Sequence, residues 1–404
     1  MKKSIITLSL AAATAPNIAV AQTDQTEAFS NWHASFILDA LYFNNSANED
    51  PEMEGFPMGG HNHGPDKGLR LGHAEAMLEG DLNQALKTRF NLGISHSDDE
   101  GLEFEWEEVY LQTKGLDNGL KFTFGRQFTE LGYHTAKHNH EWDFADQPLI
   151  IDAIYGAHPT FDGIRMNWVA PTEQFLELGA EIANGNAFPA SGGKTASLFA
   201  KTGGDFNESS SWLLGAGVYR ANNVKDRVSE GHEHEGEEGE ETQFNGKADI
   251  WNINATYKWA PQGNFKAQNL TLQAEYFEKN EKGDWLLVED AETFDYKGKH
   301  SGFYAQAVYQ WQPNWRVGYR VEKLTPKNSL FEDGAEVGEE EYEHAGLHSD
   351  HSPTKQSLMI DYSPRHESRV RLQYNQDKRS ESVTDHQWIL QYTHSFGAHS
   401  AHAY

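Results

Sequence analysis

Apolar and polar residues alternate along most of this chain. In "HQWILQYTHSF", Trp388, Leu390, Tyr392, His394 and Phe396 share one face, and Gln387, Ile389, Gln391, Thr393 and Ser395 the other. "NWRVGYRVEKL" sets Trp315, Val317, Tyr319 and Val321 against Arg316, Gly318, Arg320 and Glu322. "ESRVRLQYNQD" sets Val370, Leu372 and Tyr374 against Arg369, Arg371 and Gln373. "LEFEWEEVYLQ" sets Leu102, Phe104, Trp106 and Tyr110 against Glu103, Glu105 and Glu107. Successive side chains of a strand point to opposite faces, so this period predicts strands with one aromatic face and one charged face. Such segments number about sixteen, each near the length of a tilted membrane-spanning strand. They lie at roughly 32–42, 69–80, 84–95, 102–114, 119–127, 161–170, 174–183, 195–203, 211–221, 248–259, 268–278, 299–311, 314–324, 354–363, 367–377 and 385–396.

The connections alternate short and long. Short ones carry turn chemistry: "GDLN", "GLDNG", "APTE", "QPN" and "SPRHE". Long ones are polar and acidic, over 43–68, 128–160, 222–247, 279–298 and 325–353. Outer-membrane barrels have short periplasmic turns and long extracellular loops. With both ends periplasmic, the first connection is extracellular, and 43–68 is indeed long. The expected fold is all-β: a single transmembrane antiparallel β-barrel of about 16 strands, closed because an open sheet edge in lipid leaves backbone groups unpaired.

Composition agrees with that reading. Aromatic residues make up 12 % of the chain, yet mean hydropathy is only −0.71. A barrel has this profile, since only alternate residues within one band meet lipid. No segment offers the 18 or so consecutive apolar residues of a transmembrane helix. With no cysteine, ladders and packing rather than disulfides must hold the chain together. "MKKSIITLSLAAATAPNIAVAQ" has a basic start, an apolar stretch and a small-x-small end at Ala19–Ala21, and reads as a signal peptide. The domain reading is therefore a signal peptide over 1–21, a short extension over 22–31 and a barrel over 32–404. The net charge of −28 opposes nucleic-acid binding. There is no P-loop and no GxSxG motif, and no serine sits in a hydrolase-like setting, so no enzymatic activity and no required cofactor are expected.

The architecture resembles a Gram-negative outer-membrane porin over the whole mature chain. The His-rich loops and the "GAHSAHAY" tail also resemble zinc-regulated outer-membrane receptor and porin proteins. The resemblance implies an outer-membrane location, contact with membrane lipid and lipopolysaccharide, folding by the barrel-assembly machinery on a terminal aromatic (Phe396 or Tyr404), and a homotrimer. A TonB-dependent receptor would need a plug domain and about 22 strands, whereas strand-like sequence here starts at Trp32.

Ten of the chain's twenty histidines fall in four clusters, all in loops assigned as extracellular. His61 and His63 lie in the first, His134, His138 and His140 in the third, His232 and His234 in the fifth, and His344, His348 and His351 in the seventh. Imidazole with carboxylate suits zinc and its neighbours. His-x-His in extended backbone puts both rings on one side, and His134 with His138 would share a face if helical. No closed structural-zinc pattern is present, so open, exchangeable metal contact is expected, against the plainer alternative of solvated polar loops. In sixteen-stranded porins the third extracellular loop folds into the lumen, which makes 128–160 the expected constriction and His134, His138, His140, Glu141 and Asp143 its expected metal-contacting set. Glu103, Glu105 and Glu107, with Glu75 and Glu79, should line one wall. Arg316, Arg320, Arg369 and Arg371 should line the other. The expected function is passive uptake of divalent cations such as Zn2+. The alternatives are an energised metal-chelate receptor and a metal-sequestering or adhesive barrel without a channel.

Overall fold

The alternating segments form strands, and the strands close on themselves. The computed structural model describes residues 31–47, 53, 55–56, 67–97, 101–156, 159–190, 195–229, 241–348 and 350–397. The expected leader, nearly all of the extension, His61, His63, His232, His234 and the tail after Gly397 lie outside the described residues. Sixteen antiparallel strands form the barrel. They are β1 (His33–Asn45), β2 (Gly68–Leu71 continued by Ala74–Asp81), β3 (Leu86–Ser97), β4 (Gly101–Thr113), β5 (Leu120–Phe128), β6 (Thr160–Val169), β7 (Phe175–Gly185) and β8 (Thr195–Asn207). There follow β9 (Ser210–Ser229), β10 (Thr242–Trp259), β11 (Asn269–Leu287), β12 (Glu292–Gln312), β13 (Trp315–Thr325), β14 (Thr354–Arg365), β15 (Ser368–Lys378) and β16 (Asp385–Gly397). Each strand pairs with its sequence neighbour, and β1 closes on β16 in register from Ser35↔Gly397 to Asn45↔Gln387.

The outer face carries the aromatic side of each repeat. Phe104, Trp106, Ile253, Tyr276, Phe303, Leu358, Trp388, Leu390 and Tyr392 are exposed there. Exposure of so much apolar surface is stable only against lipid. Gln387, Gln391, Thr393 and Ser395 of β16 point inward and are buried. "GDLN", "GLDNG", "APTE", "QPN" and "SPRHE" all fall at or beside the short turns.

Two expected loops are largely strand. β9 to β12 run through most of 222–247 and 279–298 and stand above the lipid-facing band. There the alternation inverts. Lys247, Lys282, Asp284, Asp295 and Lys297 face outward and are exposed, while Phe244, Trp285, Leu287, Phe294 and Tyr296 face inward and are buried. A wet outer face makes such a strand look like a polar loop. Parity also changes in β4, where Asn91 opposes Glu108 but Leu92 opposes Trp106. Glu107 is the extra residue of a β-bulge, so Tyr110, expected beside Trp106, turns inward with Glu108.

The inward residues of the tall strands surround a helix. The segment between β5 and β6 enters the lumen and carries α1 (Leu149–Tyr155), every residue of which is buried. Ile150, Ile151 and Ile154 pack with Phe277, Tyr304 and Leu324 of the wall and with Phe188 of the β7–β8 connection, and Met53 and Phe56 of the first loop join the same core. Gly302 makes the approach possible, because a Cβ there would lie 2.5 Å from Leu324 and 2.9 Å from Ile150. The wall also caps the helix: Glu322 of β13 accepts the Leu149 N–H at 2.5 Å, placing a carboxylate at the positive helix end.

Before α1, wall side chains bind the loop backbone directly. Glu275 of β11 accepts the N–H groups of Tyr133 and His134 at 2.9 and 2.8 Å. Arg369 donates to the His140 carbonyl at 3.0 Å and Arg371 to the Trp142 carbonyl at 2.8 Å. Asp146 pairs with Arg320 at 2.6 Å and Lys355 at 2.8 Å. Burial by itself would raise the Asp146 pKa, but Lys355 and Arg320 outweigh it and hold the carboxyl below its ordinary range. At the loop entrance, burial again opposes the charge of Glu130, and Arg165 and Lys201 bring its pKa to about 2.

Two outcomes follow from this docking. Ile150→Ala should weaken it by about 2–5 kcal/mol, read as faster proteolysis within 130–156 with the barrel's heat-modifiable gel mobility unchanged. Both carboxyls have depressed folded-state pKa values, so their stabilisation is full above the unfolded value near 4 and is lost as pH falls through the folded one. Protease resistance of the loop should therefore hold from pH 7 to about 5 and fall below about pH 4, more steeply in wild type than in Asp146→Asn.

Candidate functional site

The docked loop brings two of its histidines against the acidic wall. A short turn at Asn139–Glu141, closed by the Glu141 carboxylate on the His138 N–H at 3.1 Å, holds His138 and His140 with their rings stacked 5.6 Å apart. His138 Nδ1 lies 3.1 Å from Glu75 Oε2 and 3.4 Å from Glu107 Oε2, and its Nε2 lies 2.9 Å from Glu108. His140 Nδ1 meets the other Glu75 oxygen at 2.8 Å. From the break within β2, between Leu71 and Ala74, His73 Nε2 reaches Glu107 Oε1 at 2.8 Å. Burial opposes a charged His138, but Glu75, Glu107 and Glu108 outweigh it and hold its pKa well above the ordinary imidazole value.

Two irregularities in the wall build this cluster. The β2 ladder runs from Leu71↔Ala40 to Glu75↔Ile37, so three residues, Gly72 to Ala74, oppose two of β1. The bulge in β4 sends both Glu107 and Glu108 into the lumen. Between them, β3 contributes Asn91 and Gly93. A Cβ on Gly93 would stand 2.9 Å from the His73 ring and 3.2 Å from the Glu107 carboxyl carbon, so the missing side chain leaves the space in which those two groups meet. Arg89, also from β3, bonds Glu79 at 2.8 Å and Glu108 at 3.1 Å and balances part of the acid.

The other expected residues lie elsewhere. His134 is four residues from His138, but the segment between them is not helical. Its ring packs on Trp142 and Tyr304, at 4.8 and 6.1 Å, on a different side of the loop. Asp143 pairs with Arg316 at 2.9 Å, and Glu141 is engaged by the His138 backbone. The four arginines do share one wall, but Arg320, Arg369 and Arg371 are buried beneath the loop rather than exposed along the lumen. The reason is the loop itself, whose carboxylates and carbonyls need donors. Glu103 and Glu105 remain exposed on β4. In the seventh loop, His344 lies 3.8 Å from Asp290, His348 lies 3.9 Å from Asp350, and His351 bonds the Lys378 carbonyl at 2.8 Å. The helix there ends at His344, so the spacing to His348 creates no shared face.

His73, Asn91 and Glu108 were missed as site residues. His73 reads as an ordinary strand residue. For Glu108 a signal exists: apolar outward positions run 102, 104, 106 and then 109, 111, and that change of parity marks the bulge.

No family model matches the chain. It is 27 % identical over 373 residues to an uncharacterized protein of Aquifex aeolicus (strain VF5), covering 86 % of this chain and 73 % of that protein. Among solved structures, OprB of Pseudomonas putida is similar with a TM-score of 0.53 and 13 % identity, over 92 % of this chain and 96 % of that one. The outer-membrane channel DcaP of Acinetobacter baumannii gives 0.52 and 14 %, over 91 % and 96 %. A loop-deletion mutant of the Vibrio cholerae outer-membrane protein OmpT gives 0.52 and 12 %, over 91 % and 98 %. At these identities the likeness is one of fold, and the fold is the sixteen-stranded barrel of outer-membrane channels.

Proposed function

We propose that this protein is a passive channel of the Gram-negative outer membrane that admits divalent metal cations, zinc foremost. The observation that carries this reading is the meeting of His138 and His140 with Glu75, Glu107 and Glu108 on a loop held inside the barrel. The basic wall opposite is engaged by the loop, Arg316 and Arg320 by its carboxylates and Arg369 and Arg371 by its carbonyls. Glu103 and Glu105 keep solvent exposure while Arg320, Arg369 and Arg371 are buried, so the accessible charge is acidic there. Carboxylate-lined passages favour cations. Passive entry fits sixteen strands and a lumen occupied by the chain's own loop better than the 22-stranded plugged barrels of energised receptors. The same reading carries assembly as a homotrimer in lipid and lipopolysaccharide, folded by the barrel-assembly machinery.

A metal-sequestering barrel without a through-channel is the second reading. It is favoured by the apolar core around α1, which fills part of the lumen. Planar-bilayer recording separates the two. The channel reading expects discrete conductance steps and a reversal potential that favours potassium over chloride. Glu103→Gln with Glu105→Gln should reduce that preference roughly twofold per charge, since a unit charge at about 8 Å in water is worth about 0.5 kcal/mol. Absence of conductance from folded protein would reject the channel and leave sequestration.

A further inference from the structure

We infer that His73, Glu75, Glu107 and His138 form a binding site for one transition-metal dication of the zinc class, completed only when the constriction loop is docked. The inference rests on the channel reading for its role in conduction, but not for binding itself.

Several donor separations are already close to what such an ion needs. Zinc holds nitrogen at about 2.0–2.1 Å and carboxylate oxygen at about 2.0–2.2 Å in a tetrahedron, which puts neighbouring donors roughly 3.3–3.5 Å apart. His138 Nδ1 already lies 3.1 Å from Glu75 Oε2 and 3.4 Å from Glu107 Oε2. Ligand atoms of His73, Glu75 and Glu107 fall within 4.8 Å of one another. Two imidazoles and two carboxylates suit zinc, copper or nickel, whereas calcium and magnesium prefer oxygen alone.

The surroundings supply what a metal site requires beyond its ligands. Glu108 holds His138 Nε2 at 2.9 Å, the carboxylate–imidazole arrangement that leaves the other ring nitrogen for a metal. His140 fixes the second oxygen of Glu75 at 2.8 Å. Asn91 is the independent pointer. It is fully buried, and its amide nitrogen stands 3.0 Å from Glu75, 2.8 Å from Glu107 and 3.1 Å from His138 Nδ1. Its amide oxygen has no hydrogen-bond partner among the described residues. A neutral amide N–H group thus occupies the point at which three metal donors converge, where a dication would balance the two carboxylates more fully. Gly93 keeps the adjoining space open. Because three of the ligands are on the wall and one, His138, is on the loop, the ion would cross-link loop and wall.

The test uses the full-length folded protein in detergent, titrated with zinc chloride and, for a spectrum, cobalt chloride. Wild type should bind one zinc equivalent with the tetrahedral cobalt absorption, and magnesium should not compete. His73→Ala and Glu107→Gln should each weaken that equivalent at least tenfold while leaving any exposed loop sites intact. Glu108→Gln should weaken it about tenfold. Asn91→Ala should bind zinc more tightly, because no amide has to leave; a merely structural network would show no gain. Folding of each variant is checked by heat-modifiable mobility. In bilayers, saturating zinc should lower the potassium current of wild type but not of Glu107→Gln. If zinc and cobalt binding is absent, or is unchanged in His73→Ala, Glu107→Gln and Asn91→Ala, the site is wrong even where the channel conducts. If binding follows the expected pattern but no conductance exists, the channel reading fails and the site stands.

Discussion

A chain segment placed inside a barrel must satisfy its backbone polar groups without the ladder that satisfies the strands. That requirement organises this protein. The segment between β5 and β6 satisfies part of its backbone through α1 and the turns around His134 and Asn139–Glu141, and the wall supplies partners for much of the rest. Glu275 and Glu322 accept loop N–H groups, and Arg369 and Arg371 donate to loop carbonyls. Charged residues that seem suited to an open lumen are therefore structural partners of the loop. Removing one would leave the other buried and unpaired, the costly case for such groups.

Docking has a second, apolar component. β9 to β12 rise above the lipid band and reverse their pattern there, polar outside and apolar inside. A barrel usually reserves apolar side chains for its outer face. Here the extracellular part has an interior core around α1, joined by residues of the first and seventh loops. The protein thus combines a membrane barrel whose inner face is polar with a small soluble-type core stacked on top. The tall strands exist to enclose that core.

The His/Glu cluster occupies the place where the loop meets the acidic wall of β2 to β4. Two strand irregularities aim its side chains. The extra residue in β2 lies beside His73, and the extra residue in β4 turns a run of two glutamates inward together. A regular ladder would have sent Glu108 into lipid. Bulges often re-aim side chains at functional sites, and here they concentrate carboxylates that only cations, whether protonated imidazole, arginine or metal, can balance.

The strand pattern of the barrel was legible from alternation alone, because lipid on one side and polar side chains on the other impose a period of two on each spanning strand. Turn positions and the inward course of the third loop followed from parity and resemblance. Alternation could not reveal the tall strands, since above the membrane water replaces lipid and the exposed face becomes polar. Nor could linear order say which charges meet. Asp143 and Asp146 lie within six residues of His140, yet they pair with β13 and β14, while His138 and His140 reach β2 and β4. Residue types and strand periodicity are local properties, written in neighbouring positions. Partners across a lumen are set by how one loop packs against a closed wall, and only the tertiary structure decided them.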